Sequence, residues 1–204
     1  MKNPDELLKA ATQQHDTGDL DSAITTLREA LKALSKTDTS YSVSTFTRLP
    51  LYLQKAGRFE EAKKEFEILL KSSPEQVELE FAHQTPVIIQ SLVAMRYSEI
   101  YDKIRVAYER EKLFADAAAY NILSMANQCL GLHLQGRKEE LEGIQQEDFW
   151  HNWTAKTLKK AGLLDKQAII IKECLEAIQN PSGEKVKNLH QYLSETLAIS
   201  KNLL

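Results

Sequence analysis

Side chains that could carry out chemistry are sparse in this chain of 204 residues. Cys129 and His133 lie four residues apart, and on a helix this spacing turns both side chains to one face, where they could bind a metal ion. Two ligands do not make a metal site, and neither a Cys-x-x-Cys nor a His-Glu-x-x-His pattern accompanies them. We therefore interpret the pair as a buried thiol and a partly buried imidazole, and we expect no metal and no other cofactor.

Two acidic clusters could in principle supply paired carboxylates for general acid–base catalysis. One contains Glu139, Glu140 and Glu142, and the other contains Glu147 and Asp148. Both clusters fall at expected helix starts, where carboxylates stabilise the positive end of the helix dipole. Neither a Gly-x-Ser-x-Gly element nor a glycine-rich phosphate loop occurs. An all-α enzyme is therefore the least favoured of three hypotheses for function.

The densest aromatic group contains Phe149, Trp150 and Trp153. The two tryptophans are three residues apart, which places them on one helix face. They either wedge between helices as part of the core or form a hot spot for a partner, because tryptophan is enriched at interfaces. We prefer the core interpretation, and the interface interpretation stays open.

Composition limits the classes of protein to which this chain can belong. Lys and Arg number 26 and Asp and Glu number 29, so the formal net charge is −3, and the chain lacks the basic field that nucleic acid binding requires. The most apolar stretch, residues 86–95, is about half the length that spans a membrane. The amino terminus enters a charged amphipathic helix without an apolar signal core. We therefore expect a cytoplasmic protein with reduced, buried Cys129 and Cys174.

Apolar residues recur at spacings of three and four, as in Leu20, Ala23, Ile24 and Leu27. This is the periodicity of amphipathic helices, and strand-like alternation is confined to residues 41–46. Gly and Pro number only 7 and 5, about half of their usual share, which indicates few turns. The sequence therefore predicts an all-α fold.

Capping and breaking residues predict where the helices begin and end. The predicted helices cover residues 4–17, 20–35, 39–56, 59–72, 86–112, 115–135, 138–161, 164–179 and 183–202. Asn3 and Asp19 are the expected caps of the first two helices, and Pro50 is expected to kink the third. Ser73 and Pro74 are expected to break the chain after the fourth. The short connections predict antiparallel helical hairpins.

Two segments of the chain, 18–31 and 57–70, resemble one another. The equivalent pairs are Gly18 and Gly57, Leu20 and Phe59, Ala23 and Ala62, and Leu27 and Phe66. The glycine ends one helix in a left-handed conformation, the next apolar residue fills the turn, and the alanine lets the two helices approach closely. Because such a hairpin cannot bury its own apolar face, it stacks on copies of itself.

This pattern resembles that of the tetratricopeptide repeat, a helix-turn-helix unit of about 34 residues. The well-matched units are 4–37 and 43–76, and degenerate units lie over 98–131 and 148–181. The resemblance implies one domain, 1–204. It would be a right-handed α-solenoid of antiparallel helix pairs, closed by a capping helix over residues 183–204.

The later units depart from the pattern. Lys112 stands where glycine is expected, Asn121 stands where a bulky apolar residue is expected, and Gln167 stands where alanine is expected. The units are also unevenly spaced, which predicts extra helical length around residues 75–97 and 138–147.

Members of this family act as scaffolds whose first helices line a concave groove for a peptide. The resemblance implies a groove lined by Leu8, Thr12, His15, Thr47, Arg48, Leu51, Lys55, Lys103 and Val106. These residues mix apolar and charged side chains, as a protein-binding surface does. Arg48, Lys55 and Lys103 could equally be ordinary solvated charges.

Some members of the family grip the terminal carboxylate of chaperone tails with a clamp of Lys, Asn and Arg side chains. The corresponding positions here hold Leu8, Thr12, Arg48, Glu99 and Lys103. Only two of these side chains are cationic and Glu99 opposes an anion, which argues against binding of chaperone tails.

The leading hypothesis is therefore a non-enzymatic adaptor that binds a peptide or protein segment in the groove, with neither nucleic acid nor membrane as a partner. The alternative is a structural component that self-associates through its terminal helix, for example as a homodimer. The apolar stripe of that helix comprises Val186, Leu189, Leu193 and Leu197. It reads first as the face of a capping helix, while Leu203 and Leu204 at the chain end would suit self-association.

Overall fold

The computed structural model describes residues 3–37, 41–145, 147–163 and 167–197. Within these ranges every regular element is a helix and no strand occurs, so the predicted all-α fold is confirmed. The helices are α1 (Pro4–Asp16), α2 (Leu20–Leu34), α3 (Val43–Lys55), α4 (Phe59–Glu80), α5 (Pro86–Arg110), α6 (Phe114–Leu134), α7 (Lys138–Ile144), α8 (Glu147–Lys160), α9 (Gln167–Gln179) and α10 (Gly183–Leu197). In the described part of the chain, no helix combines the length and apolarity needed to cross a bilayer.

The predicted caps are the residues that begin the helices. The Asn3 Oδ1 accepts a hydrogen bond of 3.0 Å from the backbone N–H of Asp5. The Asp19 Oδ1 accepts one of 3.1 Å from the N–H of Ser22. Each cap satisfies a backbone donor that the first turn of a helix leaves without a partner.

The predicted break at Ser73 and Pro74 is wrong, because α4 continues through the proline to Glu80. Proline removes one backbone donor, but Pro74 lies on the exposed side of the helix. The buried stripe continues past it with the same spacing of three and four. Its members are Phe66, Leu70, Ser73 and Val77. Burial of this second half of the helix outweighs the lost hydrogen bond.

The single helix predicted over 138–161 is also wrong, because α7 ends at Ile144 and α8 begins at Glu147. At the end of α7, the Gln145 side chain donates a hydrogen bond to the backbone carbonyl of Ile178 in α9. That carbonyl lies in the last turn of its helix, where carbonyls lack helical partners. The third helix begins at Val43 rather than at Thr39, and residues 38–40 lie outside the described ranges.

One type of turn recurs five times along the described chain. The residues in the left-handed conformation are Gly18, Gly57, Lys112, Gly136 and Gly162, with φ between +62° and +87°. In each turn the next backbone N–H donates to the carbonyl five residues earlier. The donor and acceptor pairs are Asp19 and Gln14, Arg58 and Leu53, Leu113 and Tyr108, Arg137 and Leu132, and Leu163 and Leu158, at 2.9 to 3.0 Å. This Schellman geometry satisfies carbonyls at the helix end.

Lys112 is the departure of the third unit from the repeat pattern, yet its backbone adopts the conformation that glycine provides elsewhere. Its φ is +62°, in the left-handed region that costs an L-residue about 1–2 kcal/mol. The turn is therefore retained at this position without the residue that suits it best.

The chain divides into two compact units, Met1–Leu69 and Leu70–Leu204, within the span that the resemblance implies to be one domain. In the first unit α1, α2 and α3 enclose a core that includes Ala11, Leu27 and Leu53, each fully buried. Ala23 and Ala62, the small residues of the two similar segments, are also fully buried. Their burial agrees with the close helix approach that the repeat predicts.

In the second unit α5 and α6 form the most extensive helix pair. They approach so closely at Gly131 that a Cβ there would lie 2.6 Å from the Met95 Sδ and 3.3 Å from the Ser91 carbonyl oxygen. The Ser91 hydroxyl, fully buried, donates to the Gly131 carbonyl at 3.1 Å and accepts from the Gln135 Nε2 at 2.7 Å. A glycine and a serine thus set the spacing of this pair.

The terminal helix α10 packs on α6 and α9. Val186, Leu189 and Leu193 of its predicted stripe are all buried. These three residues therefore belong to the packing within this unit, as expected of a capping helix, while the Leu197 side chain, Leu203 and Leu204 lie outside the described structure.

Replacing Lys112 by glycine should stabilise the protein by about 0.5–1 kcal/mol, because relief of the left-handed strain exceeds the entropy that glycine adds to the unfolded chain. The opposite kind of change at another such turn, Gly57→Ala, should lower the free energy of unfolding by about 1 kcal/mol. A Cβ at position 57 would meet nothing within 4 Å, so this loss would reflect backbone strain alone. Urea unfolding at constant slope measures both effects.

The control for this pair is Gly143→Ala in α7, where φ is not positive and a Cβ also meets nothing within 4 Å. That change should stabilise the protein by about 0.5–1 kcal/mol. If Lys112→Gly destabilises the chain instead, the lysine side chain contributes more than its backbone conformation costs.

Gly131→Ala should destabilise the protein by about 1–3 kcal/mol through overpacking against Met95. The cost should shrink in a Met95→Ala background, because the atoms nearest to the new Cβ belong to that side chain. A double-mutant cycle by urea unfolding measures this coupling. Equal cost of Gly131→Ala in both backgrounds would show that the Ser91 backbone, not Met95, sets the limit.

Candidate functional site

Most of the predicted groove residues lie in the first unit, on α1 and α3. Side chains from the two helices meet in one group, which we call the α1–α3 face. Its members are Thr12, His15, Arg48, Tyr52 and Lys55. Four of these five were predicted as groove residues, and Tyr52 was not.

Arg48 occupies one end of the α1–α3 face. Its Nη2 donates to the Leu8 carbonyl at 3.4 Å and to the Thr12 hydroxyl oxygen. The guanidinium carbon also lies 6.0 Å from the centroid of the Tyr52 ring, within the range of a cation–π contact. All of these partners are uncharged.

His15 and Lys55 occupy the other end. The His15 ring stacks on Tyr52 with centroids 4.3 Å apart and planes 14° apart. The Lys55 Nζ lies 3.1 Å from the His15 Nε2. Because an ammonium group only donates, Nε2 is the acceptor in this contact and Nδ1–H donates to the Asp16 carboxylate at 3.0 Å.

In their partners, Arg48 and Lys55 differ from the two other arginines of the unit. Arg28 pairs with Glu65 at 2.8 Å and Arg58 pairs with Glu61 at 2.7 Å. Among the described residues, no carboxylate lies within ion-pair distance of Arg48 or Lys55. The α1–α3 face thus holds two positive charges in place without neutralising them.

The other predicted groove residues are placed differently. Leu8 and Thr47 are buried, at 9% and 1% exposure, so both belong to the packing of the first unit. Leu51 is half-buried on α3. Lys103 and Val106 lie half-buried on α5, in the second unit.

Lys103 is neutralised, unlike Arg48 and Lys55. Its Nζ lies 2.9 Å from the Asp102 Oδ2, and Arg105 approaches the same carboxylate at 2.7 Å. Burial alone would raise the pKa of Asp102, but the hydrogen bonds from Lys103 and Arg105 hold that pKa below its usual range. Lys103 therefore matches the interpretation of an ordinary surface charge.

The second unit contains a cleft that no sequence pattern predicted. We call it the α5–α10 cleft, and its volume is about 550 Å³. Its lining comes from the end of α4, from α5 and α6, and from the first half of α10. The apolar lining residues include Ile89, Val93, Ala94, Leu123, Leu130, Leu134 and Val186.

Two buried polar rings, Tyr101 and His190, line the α5–α10 cleft at 3% and 2% exposure. Their centroids are 6.4 Å apart. Burial lowers the pKa of His190 to about 4 and raises the pKa of Tyr101 above its usual value, to which nearby Tyr97 adds. Both rings are therefore uncharged at neutral pH.

The residues that suggested a metal or a nucleophile do not form a site. Cys129 and Cys174 are free and fully buried, and burial raises the pKa of each thiol to about 12, so both are unreactive. His133 is exposed, so the expected partly buried imidazole is wrong. In the described part of the chain, no three His, Cys, Asp or Glu residues gather as metal ligands.

The structure places residues of the acidic cluster and of the aromatic cluster on helices. Glu139 and Glu140 lie in the first turn of α7, as predicted, and Glu140 pairs with Arg137. Trp150 and Trp153 are on α8, but their side chains lie outside the described structure, so their role stays a prediction.

Comparisons with protein-family models, with curated proteins and with solved structures found no match for this chain. The relation to tetratricopeptide repeats is therefore a resemblance carried by the paired segments and their turns.

Protonation of His190 should destabilise the fold. Its pKa is about 4 in the folded protein and about 6.5 in an unfolded chain, so its contribution is fully present above pH 6.5. That contribution falls as the pH drops toward 4, by an amount on the order of 1–3 kcal/mol. Urea unfolding between pH 7 and pH 4 measures the loss.

The reference for that experiment is His190→Gln, which cannot titrate in this range. Acidification also protonates carboxylates, so the relevant quantity is the difference between the two pH profiles. Parallel profiles would show that His190 is as easily protonated in the folded protein as in the unfolded chain.

Proposed function

We propose that this protein is a non-enzymatic scaffold that binds an acidic segment of a partner protein on the α1–α3 face. The observation that carries the proposal is the pair of cations, Arg48 and Lys55, that are held by uncharged partners. The paired helical segments of the first unit add the resemblance to a family of peptide-binding scaffolds.

Neither cation has a carboxylate partner among the described residues. A guanidinium has five N–H donors and binds a carboxylate with two of them in parallel, whereas Arg48 is engaged only with a carbonyl and a hydroxyl. Lys55 is exposed and contacts an imidazole nitrogen. Both charges are positioned, so an anionic side chain that binds there need not order them first.

The stacked rings of His15 and Tyr52 lie between the two cations. Tyr52 is largely buried and His15 is half-buried. A partner would therefore contact the ring of His15 rather than that of Tyr52. A segment with two acidic residues flanking a small or apolar residue suits this arrangement.

The alternative, self-association through the terminal helix, has less support. Val186, Leu189 and Leu193 of the terminal helix pack within the chain, and Leu203 and Leu204, which would suit self-association, lie outside the described residues. A catalytic function also has little support, because both thiols are buried and protonated.

Replacing Arg48 and Lys55 together by glutamate should weaken capture of acidic partners from native lysate by about tenfold or more, because two favourable contacts become repulsive. Quantitative mass spectrometry of proteins retained by the immobilised full chain measures the change. A milder pair, Arg48→Gln with Lys55→Gln, removes the charges without repulsion and should give an intermediate loss.

The matched control is Lys9→Glu with Lys32→Glu, which alters two exposed lysines of α1 and α2 outside the face. It makes the same change in net charge and should leave capture unchanged. Circular dichroism and urea unfolding establish that each variant is folded. The proposal fails if folded glutamate variants of the face retain the same proteins as the control.

A further inference from the structure

The α5–α10 cleft supports an inference that does not depend on the α1–α3 face. We propose that this cleft binds an uncharged, mainly apolar small molecule whose hydroxyl or amide group donates a hydrogen bond to the Nε2 of His190.

Size and lining define the apolar part of the ligand. The volume of about 550 Å³ lies within the range of about 300–1,000 Å³ that small-molecule sites occupy. Three helices and the end of a fourth supply its walls, and most of the lining side chains are aliphatic or aromatic. Burial of apolar surface would therefore drive binding.

The tautomer of His190 defines the polar part. The Ser194 hydroxyl donates its single hydrogen to the His190 backbone carbonyl at 2.9 Å. The same hydroxyl oxygen lies 3.3 Å from the His190 Nδ1; with its hydrogen on the carbonyl it accepts there, and we assign the ring hydrogen to Nδ1 on this basis. The Nε2 of the neutral ring is consequently a bare acceptor.

That acceptor has no partner among the described residues. The Nε2 is enclosed and receives no hydrogen bond, although buried polar groups are nearly always satisfied. A ligand that brings its own donor removes this deficit, whereas a hydrocarbon of the same shape leaves it in place. The cleft therefore selects for a donor.

Charge around the cleft excludes an ionic ligand. Asn127 and Tyr101 are uncharged and buried, and the two ionic side chains of the lining, Glu78 and Lys187, are exposed and opposite in sign. With no net counter-charge beside the buried rings, an ion would lose its hydration without compensation.

Three related probes test the proposal on the full chain at pH 7. These probes are 2-naphthol, which is uncharged and donates, 2-methoxynaphthalene, which has no donor, and 2-naphthoate, which is anionic. In ¹H–¹⁵N correlation spectra 2-naphthol should shift amides of α5, α6 and α10 saturably. The methoxy compound should bind about tenfold more weakly, as expected for loss of one hydrogen bond to an enclosed acceptor, and the anion more weakly still.

Two substitutions on α5 locate the binding. Val93→Trp fills the cleft from a half-buried lining position and should abolish the 2-naphthol shifts. Val87→Trp makes the same change at a position on α5 that is 49% exposed and does not line the cleft, and should leave binding intact. His190→Leu should reduce the preference for 2-naphthol over its methyl ether to within about twofold.

Several results would overturn the proposal. These are equal affinity for 2-naphthol and its methyl ether, binding that survives Val93→Trp, or absence of saturable shifts with any probe. A dimer detected by light scattering and disrupted by Val93→Trp would instead place a second copy in the cleft. Displacement of 2-naphthol by an acidic segment captured on the α1–α3 face would place the partner protein there, which separates this failure from that of the proposed function.

Discussion

A single left-handed residue at five of the helix connections in the described chain is the constraint on which the pairing of consecutive helices depends. It satisfies carbonyls at the helix end, and after Gly18, Gly57, Lys112 and Gly136 the next helix begins two residues later. Four of the five positions hold glycine, which adopts this conformation without strain. Lys112 adopts it too, and it connects α5 to α6, the most extensive helix pair of the second unit. The packing of that pair therefore holds a residue in a conformation that its own preference disfavours.

Small residues let the connected helices pack closely. Ala23 and Ala62 are fully buried in the first unit, and Gly131 lets α5 and α6 approach until a methyl group would not fit. The buried Ser91 hydroxyl links these two helices at the same level. Close approach on this side of α5 coexists with the α5–α10 cleft, whose lining residues Val93, Ala94 and Tyr97 lie on the same helix.

Two histidines show how the surroundings of one residue type lead to opposite chemistry. The half-buried His15 ring accepts a hydrogen bond from Lys55, donates one to Asp16 and stacks on Tyr52. His190 is buried, donates to Ser194 and keeps a bare Nε2. The first belongs to a face that presents positive charge, which suits an acidic protein segment. The second belongs to an enclosed and uncharged cleft, which suits a neutral small molecule. Because the two surfaces require different ligands, they can be tested separately.

The sequence alone determined most of the helices, the caps of the first two and most of the turns, because these depend on hydrogen bonds and apolar spacing within a few residues. The resemblance to a hairpin repeat also implied that Thr12, Arg48 and Lys55 share one candidate face. The tertiary structure decided the features that depend on contacts between residues distant in the sequence. Burial of Val77 carries α4 through Pro74, and Gln145 ends α7 beside a carbonyl of α9. The α5–α10 cleft joins residues from Pro74 to His190, and its chemistry exists only where distant helices meet, because burial and the absence of a donor are properties of the packed chain.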